Sequence, residues 1–292
     1  MGLFATYQKL PLGVHYAVGR FLALLLRAIR YRTAVVSDNL RACFPEKSKK
    51  ELRAIRRKFY RNLGRVYAEA LWLGGCRGNK QKFFDRKLFR TEGTEELYKA
   101  FEKGSVMILD SHCGNWEITG AFLQGIVDAP GSNITEKDVA VVYRYLHNEK
   151  WDKRMARIRC ALQSDDFQGY IESRHIMRYA IEHKNEKKIY VFPNDQYPYG
   201  LTRGTVEIEF FGRKTLSMEG GLRLAVKFGM SIFYMNKRRE ADGTYTVRLC
   251  KICDDASVAG PLEDLLKDYY RRVETDIRET PASYLWSHRR WK

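Results

Sequence analysis

A histidine and a glutamate that could act as a general base and its carboxylate partner stand five residues apart, at His112 and Glu117. The apolar run 106–109 before them predicts a buried strand, and the segment from Trp116 onward has the apolar spacing of a helix. A histidine can take a proton from a hydroxyl near neutral pH, and a carboxylate on its other ring nitrogen fixes the tautomer. The pair therefore predicts a site on the turn after a strand, where α/β proteins gather catalytic groups.

A His-x4-Glu pair alone is a weak motif. Judged on the pair only, the favoured interpretation is a buried histidine beside a glutamate that suits the dipole at a helix start. The functional alternative is that the loop folds back and lets the two side chains meet. Backbone N–H groups at the helix start would then be placed to bind a developing oxyanion.

Polar side chains also follow two other predicted strands. The segment 138–143 ends at Arg144, and the segment 188–192 is followed by a turn that contains Asp195. Taken singly, a surface salt bridge and a turn residue are at least as favoured as functional roles. Because they share with His112 a position at the end of a strand, the functional interpretation becomes more favoured.

Composition limits the classes of partner. The chain has 292 residues, is 45% hydrophobic and carries a formal net charge of +17. This excess indicates an acidic partner, such as an anionic membrane, a phosphorylated substrate or nucleic acid. Nucleic acid is the weaker choice, because the sequence has neither a basic stripe with interleaved aromatics nor a helix-turn-helix pattern.

Six scattered cysteines indicate reduced thiols in a cytosolic setting. Cys250 and Cys253 have the spacing of a zinc half-site, but two further ligands are not evident nearby. We therefore expect both to be strand residues, and we expect no metal site.

The amino-terminal segment 1–34 is expected to associate with a membrane. Residues 1–37 contain no Asp or Glu, the stretch 10–29 is strongly apolar, and Arg20 and Arg27 fall on one helical face. This pattern predicts a basic amphipathic helix at a membrane surface, or a marginal single span. An ordinary core helix is the less favoured alternative.

The rest of the chain, 35–292, reads as one domain with a helical part, 35–104, and an α/β core, 105–292. Ser48-Lys-Lys-Glu51 is a capping box that begins a helix to about Leu73. Further helices are predicted around 79–88, 95–103, 148–159, 173–184, 216–228 and 262–278, and further strands at 206–211, 231–235 and 245–249. The alternation predicts an α/β fold whose mixed, largely parallel central sheet is covered by helices on both faces.

The stretch Ser111-His-Cys-Gly-Asn-Trp-Glu117 resembles the His-x4-Asp/Glu motif of the lysophospholipid acyltransferase superfamily. The Gly-Asn-Trp-Glu version of this motif resembles the one in the late acyltransferases of lipid A biosynthesis, which are of the lauroyl/myristoyl acyltransferase type. Further blocks agree in order with that family: Asn39-Leu40, Cys43-Phe-Pro45, Arg61-Asn-Leu-Gly64, Val142-Tyr-Arg144, Asn194-Asp-Gln196, Arg203-Gly204, Phe210-Phe-Gly-Arg213, Gly220-Gly-Leu-Arg-Leu-Ala225 and Leu285-Trp-Ser-His-Arg-Arg-Trp291. Cys113 and Tyr145 depart from the residue types frequent there, which leaves acyl length and acceptor open.

The resemblance implies an enzyme on the cytoplasmic face of the cell inner membrane. It would move a fatty acyl group from acyl-carrier protein, or from acyl-CoA, to a hydroxyl of a glycolipid precursor, with no metal or organic cofactor. In this hypothesis His112 is the base and Glu117 orients it, while N–H groups near Gly114 and Asn115, or Arg144, bind the oxyanion. A covalent route through Cys113 is disfavoured, because direct transfer needs only the His/Glu pair and the family places no nucleophile there.

The remaining site residues would bind the substrate. Arg144 and Arg203 would hold phosphate or sugar oxygens, and Asp195 and Gln196 would bind sugar hydroxyls or brace the site. Three alternatives stay open: an acyltransferase for lysophospholipids or mannosylated phosphoinositides, a glycerol-phosphate acyltransferase, and a non-catalytic basic protein that binds membranes or nucleic acid. The second would need a Phe-Pro-Glu-Gly block, where this chain has Phe192-Pro-Asn-Asp-Gln196.

Overall fold

The computed structural model describes residues 3–198, 200 and 204–291. The helices are α1 (Leu3–Gln8), α2 (Leu12–Ala28), α3 (Thr33–Cys43), α4 (Lys49–Gly74), α5 (Gln81–Phe84), α6 (Thr94–Lys103), α7 (Thr119–Val127), α8 (Glu149–Arg159), α9 (Ile176–Glu182), α10 (Gly220–Lys227) and α11 (Leu262–Glu279). The strands are β1 (Phe89–Glu92), β2 (Val106–Asp110), β3 (Val139–Tyr143), β4 (Tyr170–Glu172), β5 (Ile189–Pro193), β6 (Thr205–Phe210), β7 (Arg213–Met218), β8 (Ser231–Arg239) and β9 (Tyr245–Cys253). Short 3-10 helices are Trp116–Ile118, Glu136–Asp138 and Pro281–Ser283.

The central sheet has seven strands in the order β1-β9-β8-β2-β5-β3-β4. Strands β8 and β9 pair antiparallel, and the other neighbouring pairs are parallel. Strands β6 and β7 form a separate antiparallel pair. The prediction of a mixed, largely parallel sheet is confirmed.

Helices cover both faces of this sheet. Along β2, Met107 and Leu109 belong to a core cluster that includes residues of α10 and α11. Val106 and Ile108 point the other way, into a cluster that includes residues of α6 and α7. Because side chains alternate along a strand, a strand buried on both faces must be largely apolar, and β2 is apolar from Val106 to Leu109.

Helix α2 lies across α4 in close backbone contact. A Cβ atom on Gly64 would lie 2.1 Å from the Gly19 carbonyl oxygen, so the crossing requires glycine at both positions. Leu12 and Ala23 of α2 are buried, whereas Phe21 is 67% exposed. The amphipathic helix expected within 1–34 is therefore present, and its buried side belongs to the core of the domain.

Within the described ranges, we find no single helix that is both long and apolar enough to cross a bilayer. Helices α2 and α3 meet this criterion of length and composition only as a pair, and they are bent by 89° relative to each other.

Most predicted elements are present, with four differences. The helix predicted around 79–88 is only the short helix α5, Gln81–Phe84. Strand β1 lies inside the segment 35–104 that was expected to be helical, and it pairs with β9 at the sheet edge. Strand β4 was not predicted. Residues 216–218 belong to β7 and not to the following helix, because Leu216 pairs with Glu207 of β6. The capping box of α4 is confirmed, with the Ser48 hydroxyl accepting from the Glu51 N–H.

Candidate active site

The carboxyl ends of β2 and β5 bring His112 and Asp195 together. The two strands are parallel neighbours with Asp110 opposite Pro193, so the turns that follow them meet at one sheet edge. His112 Nδ1 lies 2.7 Å from Asp195 Oδ1. The His112 side chain is 15% exposed and the Asp195 side chain 1% exposed. The histidine is thus reachable from solvent while its carboxylate partner is not.

The Asp195 carboxylate is held in its ionised form. Burial alone would raise its pKa, but the charge of His112 and the hydrogen bond from His112 outweigh burial and lower the pKa to about 2. An ionised carboxylate only accepts hydrogen bonds, so the proton of this contact belongs to His112 Nδ1. The sequence predicted Asp195 as a site residue, and its brace-like position fits the second of the two roles considered for it.

The second ring nitrogen of His112 faces Gln196, whose Nε2 lies 2.9 Å from His112 Nε2. With the proton on Nδ1, Nε2 carries a lone pair and accepts from the Gln196 amide. The histidine therefore has the tautomer of a general base, and Gln196 occupies the position where a substrate hydroxyl would donate.

Glu117 has different partners from the one expected. Its carboxylate accepts from Arg159 at 2.8 Å and 3.1 Å and from Trp116 Nε1 at 3.0 Å. Burial opposes ionisation, but the charge and hydrogen bonds of Arg159 outweigh it, and the Glu117 pKa is lowered. The contact with a ring nitrogen of His112 that was expected of Glu117 is made by Asp195, at Nδ1. Glu117 instead fixes Trp116, whose ring centroid lies 5.7 Å from that of His112.

The turn between His112 and Glu117 is also used differently. The Gly114 N–H, expected to bind an oxyanion, donates to the Ser283 carbonyl at 3.1 Å. The Asn115 side chain is fully buried; its Oδ1 accepts from the Glu117 N–H at 3.1 Å. The Gly114 N–H thus already has a partner in the protein, whereas the role in substrate binding expected of Asn115 stays a prediction.

Gly114 is required for the shape of this turn. Its φ of 68° lies in the left-handed region, and an added Cβ atom would lie 2.4 Å from the Lys237 carbonyl oxygen. A side chain at this position would move the turn away from β8 and with it His112.

A buried carboxylate on α4 anchors Asn115. Glu69 Oε2 accepts from Asn115 Nδ2 and from the Tyr245 hydroxyl, both at 2.7 Å. Glu69 Oε1 accepts from Tyr16 of α2 at 2.9 Å and from Arg65 at 2.8 Å. Because the carboxylate is fully buried, each of these donors is needed to offset its desolvation.

A buried ion pair supports the turn from beneath. Lys237 Nζ of β8 lies 2.5 Å from Asp110 Oδ1 and donates to the Ser111 carbonyl at 3.0 Å. The Asp110 carbonyl also accepts from the Tyr269 hydroxyl at 2.7 Å. These bonds fix the backbone on the amino-terminal side of His112.

Cys113 is unsuited to covalent catalysis. Its side chain is 3% exposed, and burial raises its pKa well above the ordinary range, helped by the charges of Asp276 and Asp195. A buried thiol whose pKa is raised is a poor source of the nucleophilic thiolate. The preference for direct transfer therefore gains physical support.

Of the two arginines predicted to bind substrate, Arg144 and Arg203, only Arg144 lies within the described residues. Arg144 follows β3, which adjoins β5, and its side chain is exposed at the same sheet edge as His112. Its role in substrate binding stays a prediction. Arg203 lies outside the described residues. Among the described side chains, no cluster of three or more His, Cys, Asp or Glu could hold a metal ion.

Three supporting residues were missed from the sequence. Glu69 interrupts the apolar stripe of α4, and Lys237 falls at a buried position of β8; a charged residue in such a pattern is the signal that could have identified them. Arg159 gives no such signal, because its partner Glu117 lies on another element 42 residues away.

Comparison with protein families gives a match over residues 1–292, the whole chain, to the family described as bacterial lipid A biosynthesis acyltransferase. A search of curated proteins gave no match.

Proposed function

Because this chain belongs to the bacterial lipid A biosynthesis acyltransferase family, a family that implies acyl transfer, we propose its reaction in finer terms. It moves a fatty acyl group from an acyl thioester to a hydroxyl of a lipid A precursor or a similar glycolipid. The observation that carries the proposal is the contact of 2.7 Å between His112 Nδ1 and the buried Asp195 carboxylate, which leaves Nε2 as a base on a partly exposed side chain.

The mechanism begins when the acceptor hydroxyl displaces the Gln196 amide from His112 Nε2. His112 removes the hydroxyl proton as the oxygen attacks the thioester carbonyl carbon, and the carbonyl π electrons move onto the oxygen. Asp195 stabilises the imidazolium that forms. Collapse of the tetrahedral intermediate breaks the C–S bond, and the leaving thiolate takes the proton from His112. The products are the ester and the free thiol.

Glu117 keeps a part in this scheme through Trp116 rather than through a hydrogen bond to His112. By fixing the indole beside the imidazole, it limits the space through which a donor approaches. Arg144 is our candidate for contact with the developing oxyanion or a substrate oxygen, because a guanidinium offers several donors in a fixed plane.

A cavity beside Glu117 with mostly apolar accessible walls supports an acyl-chain donor. Trp116, Leu123, Val127, Val141 and Phe167 are among the residues that line it. Apolar walls next to a polar reaction centre suit a ligand whose reactive head is polar and whose tail is a hydrocarbon. We propose that the first part of the acyl chain enters here.

The net charge of +17 favours acyl-carrier protein as the donor, since carrier proteins of this kind are acidic. Acyl-CoA remains the alternative donor, because it also carries negative charge.

We propose that α2 places the enzyme on the cytoplasmic face of the cell inner membrane. Its outer side exposes Phe21 and Leu24, at 67% and 60%, between Arg20 and Arg27. Apolar side chains flanked by arginines suit an interface with anionic lipid.

The test is acyl transfer by wild type, His112→Ala and Cys113→Ala, followed by mass spectrometry of the glycolipid. We expect His112→Ala to lose about 10²- to 10⁴-fold in kcat, the range of a general base, and Cys113→Ala to keep substantial activity. Wild-type turnover by folded His112→Ala would refute the role of the base. Loss of activity in Cys113→Ala, with an acyl-cysteine trapped in the wild type, would replace direct transfer by a covalent route.

A further inference from the structure

A basic cleft of about 810 Å³ opens where the bend between α2 and α3 meets the carboxyl-terminal segment. Arg30, Arg32 and Arg289 line it, and all three side chains are exposed. None of the described residues that line it is acidic. Three cations around one concavity make a site for a compact anion, because their fields add there.

The backbone is shaped to present two of these arginines. Arg30 and Arg32 have φ of 55° and 48°, in the left-handed region that non-glycine residues rarely adopt. The Arg32 guanidinium donates to the Ser287 carbonyl at 3.0 Å, which ties the bend to the carboxyl-terminal segment. The bend is thus held by a contact across the cleft.

The first residues of α3 form another part of the wall. Thr33, Ala34 and Val35 line the cleft, and the first turn of α3 has neither an acidic residue nor a side-chain cap. The amino-terminal end of a helix carries partial positive charge and N–H donors, so it adds to the arginines as an anion site.

A short chain of contacts links the cleft to the reaction centre. His288, which lines it, accepts at Nε2 from the Tyr197 N–H at 2.9 Å. Tyr197 follows Gln196, which contacts His112 Nε2 at 2.9 Å. Two hydrogen bonds and one peptide bond thus link the wall of the cleft to the base, so the two lie on neighbouring parts of the structure.

From this juxtaposition we propose that the cleft binds a phosphate group of the acceptor glycolipid while a hydroxyl of the same molecule reaches His112. The inference rests on the proposed function and names the subsite for the acceptor. We favour the acceptor over the phosphate of the donor arm, because Ile29 and Tyr31, 61% and 41% exposed, flank Arg30. They continue the apolar side of α2 and would contact the lipid chains of a membrane-borne acceptor.

The test compares the double variant Arg30→Gln/Arg289→Gln with wild type on two acceptors in neutral detergent micelles. One acceptor is the phosphorylated glycolipid, and the other is the same lipid after removal of its phosphates by a phosphatase. We expect KM for the phosphorylated acceptor to rise about 10- to 100-fold, as for the loss of charged hydrogen bonds, with kcat little changed. KM for the dephosphorylated acceptor should be the same in variant and wild type.

The control is Arg53→Gln/Arg57→Gln, which removes two exposed arginines from α4 and the same net charge. It should leave both KM values unchanged. Equal changes with both acceptors, or a change of the same size in the control, would overturn the cleft as a phosphate site. An increase confined to the donor KM would assign the phosphate to the donor arm and would also overturn the proposal.

Equilibrium binding separates this inference from the proposed function. Binding of the two lipids in neutral micelles is measured without donor, and thermal unfolding checks that the variants are folded. Phosphate-dependent binding that Arg30→Gln/Arg289→Gln abolishes supports the cleft even if the wild type transfers no acyl group. Normal binding and normal KM in the folded variant reject the cleft and leave the proposed reaction standing.

Discussion

Replacing Asp195 by Asn removes the charge that holds the His112 tautomer and changes little else in size. The carboxylate oxygen lies 2.7 Å from His112 Nδ1 and is buried. An asparagine that turns its NH₂ toward Nδ1 forces the proton onto Nε2, and the lone pair that should accept the substrate proton is lost. An asparagine that turns its oxygen toward Nδ1 keeps the tautomer but no longer stabilises the imidazolium.

The expected loss is that of a general base, about 10²- to 10⁴-fold in kcat. This corresponds to about 2.7–5.4 kcal/mol of activation free energy. The variant should also lose stability, since the fold lowers the Asp195 pKa from 3.8 to about 2 and so favours the ionised form. At about 1.36 kcal/mol per pKa unit, the effect on the free energy of unfolding is about 2 kcal/mol near neutral pH.

The assay is single-turnover acyl transfer with purified variants, well below the midpoint of thermal unfolding. Glu117→Gln is the matched comparison, because it makes the same change at the other carboxylate of the site. That variant leaves partly buried Arg159, whose side chain is 25% exposed, without a charged partner, so we expect it to lose about 1.5–3 kcal/mol of stability. Its kcat per folded molecule should fall at least tenfold less than that of Asp195→Asn.

The opposite ranking would refute this reasoning. If folded Asp195→Asn turns over nearly as wild type while folded Glu117→Gln does not, Glu117 is the carboxylate that serves His112 in catalysis.

Further predictions concern the turn, the membrane face and pH. Gly114→Ala should lower the free energy of unfolding by about 2–5 kcal/mol in urea titrations, from left-handed backbone strain plus overpacking. The control Gly78→Ala should show strain alone, because Gly78 has a φ of 76° but no atom within 4 Å of an added Cβ atom. Equal unfolding midpoints for the two variants would contradict this prediction. Phe21→Ser should weaken binding to anionic vesicles about tenfold or more without changing stability. The control Val258→Ser, which changes an apolar residue that is 81% exposed outside α2, should leave vesicle binding unchanged. Equal flotation of the two variants would exclude α2 as the membrane contact. Burial lowers the His288 pKa from 6.5 to about 4, so between these pH values the unfolded state binds more protons and stability falls as pH falls. Wild type should therefore lose about 2 kcal/mol of unfolding free energy from pH 7 to pH 5. A similar loss in His288→Gln would show that other groups cause the pH dependence.

The elements with strong local patterns were predictable from the sequence, and the short ones were not. The apolar run of β2 and the capping box of α4 are signals within a few residues, and both are confirmed. Strand β1 has four residues and one edge contact, and none of its side chains is fully buried. This strand forms by pairing with β9, which lies far along the chain, so no local hydrophobic pattern predicts it.

The site divides in the same way. Sequence placed His112 and Asp195 at strand ends, and the pairing of β2 with β5 explains why they meet. It did not identify which carboxylate serves the histidine, because Glu117 is five residues away and Asp195 is 83. Proximity along the chain favoured Glu117, whereas the sheet register decides for Asp195. Arg159, which donates to the Glu117 carboxylate, lies on helix α8, and no residue near Glu117 in the sequence indicates where that helix packs.

Glu69 connects helix α2 to the turn after β2 through hydrogen bonds. Its two oxygens accept from Tyr16 of α2 and from Asn115, so lifting α2 from α4 would remove a donor from the buried charge that also anchors the turn. Local opening in this region is then costly and concerted. Backbone amides of α2 and of the turn after His112 should exchange hydrogen for deuterium at a common rate, and a lipid surface that holds α2 in place should slow exchange at both.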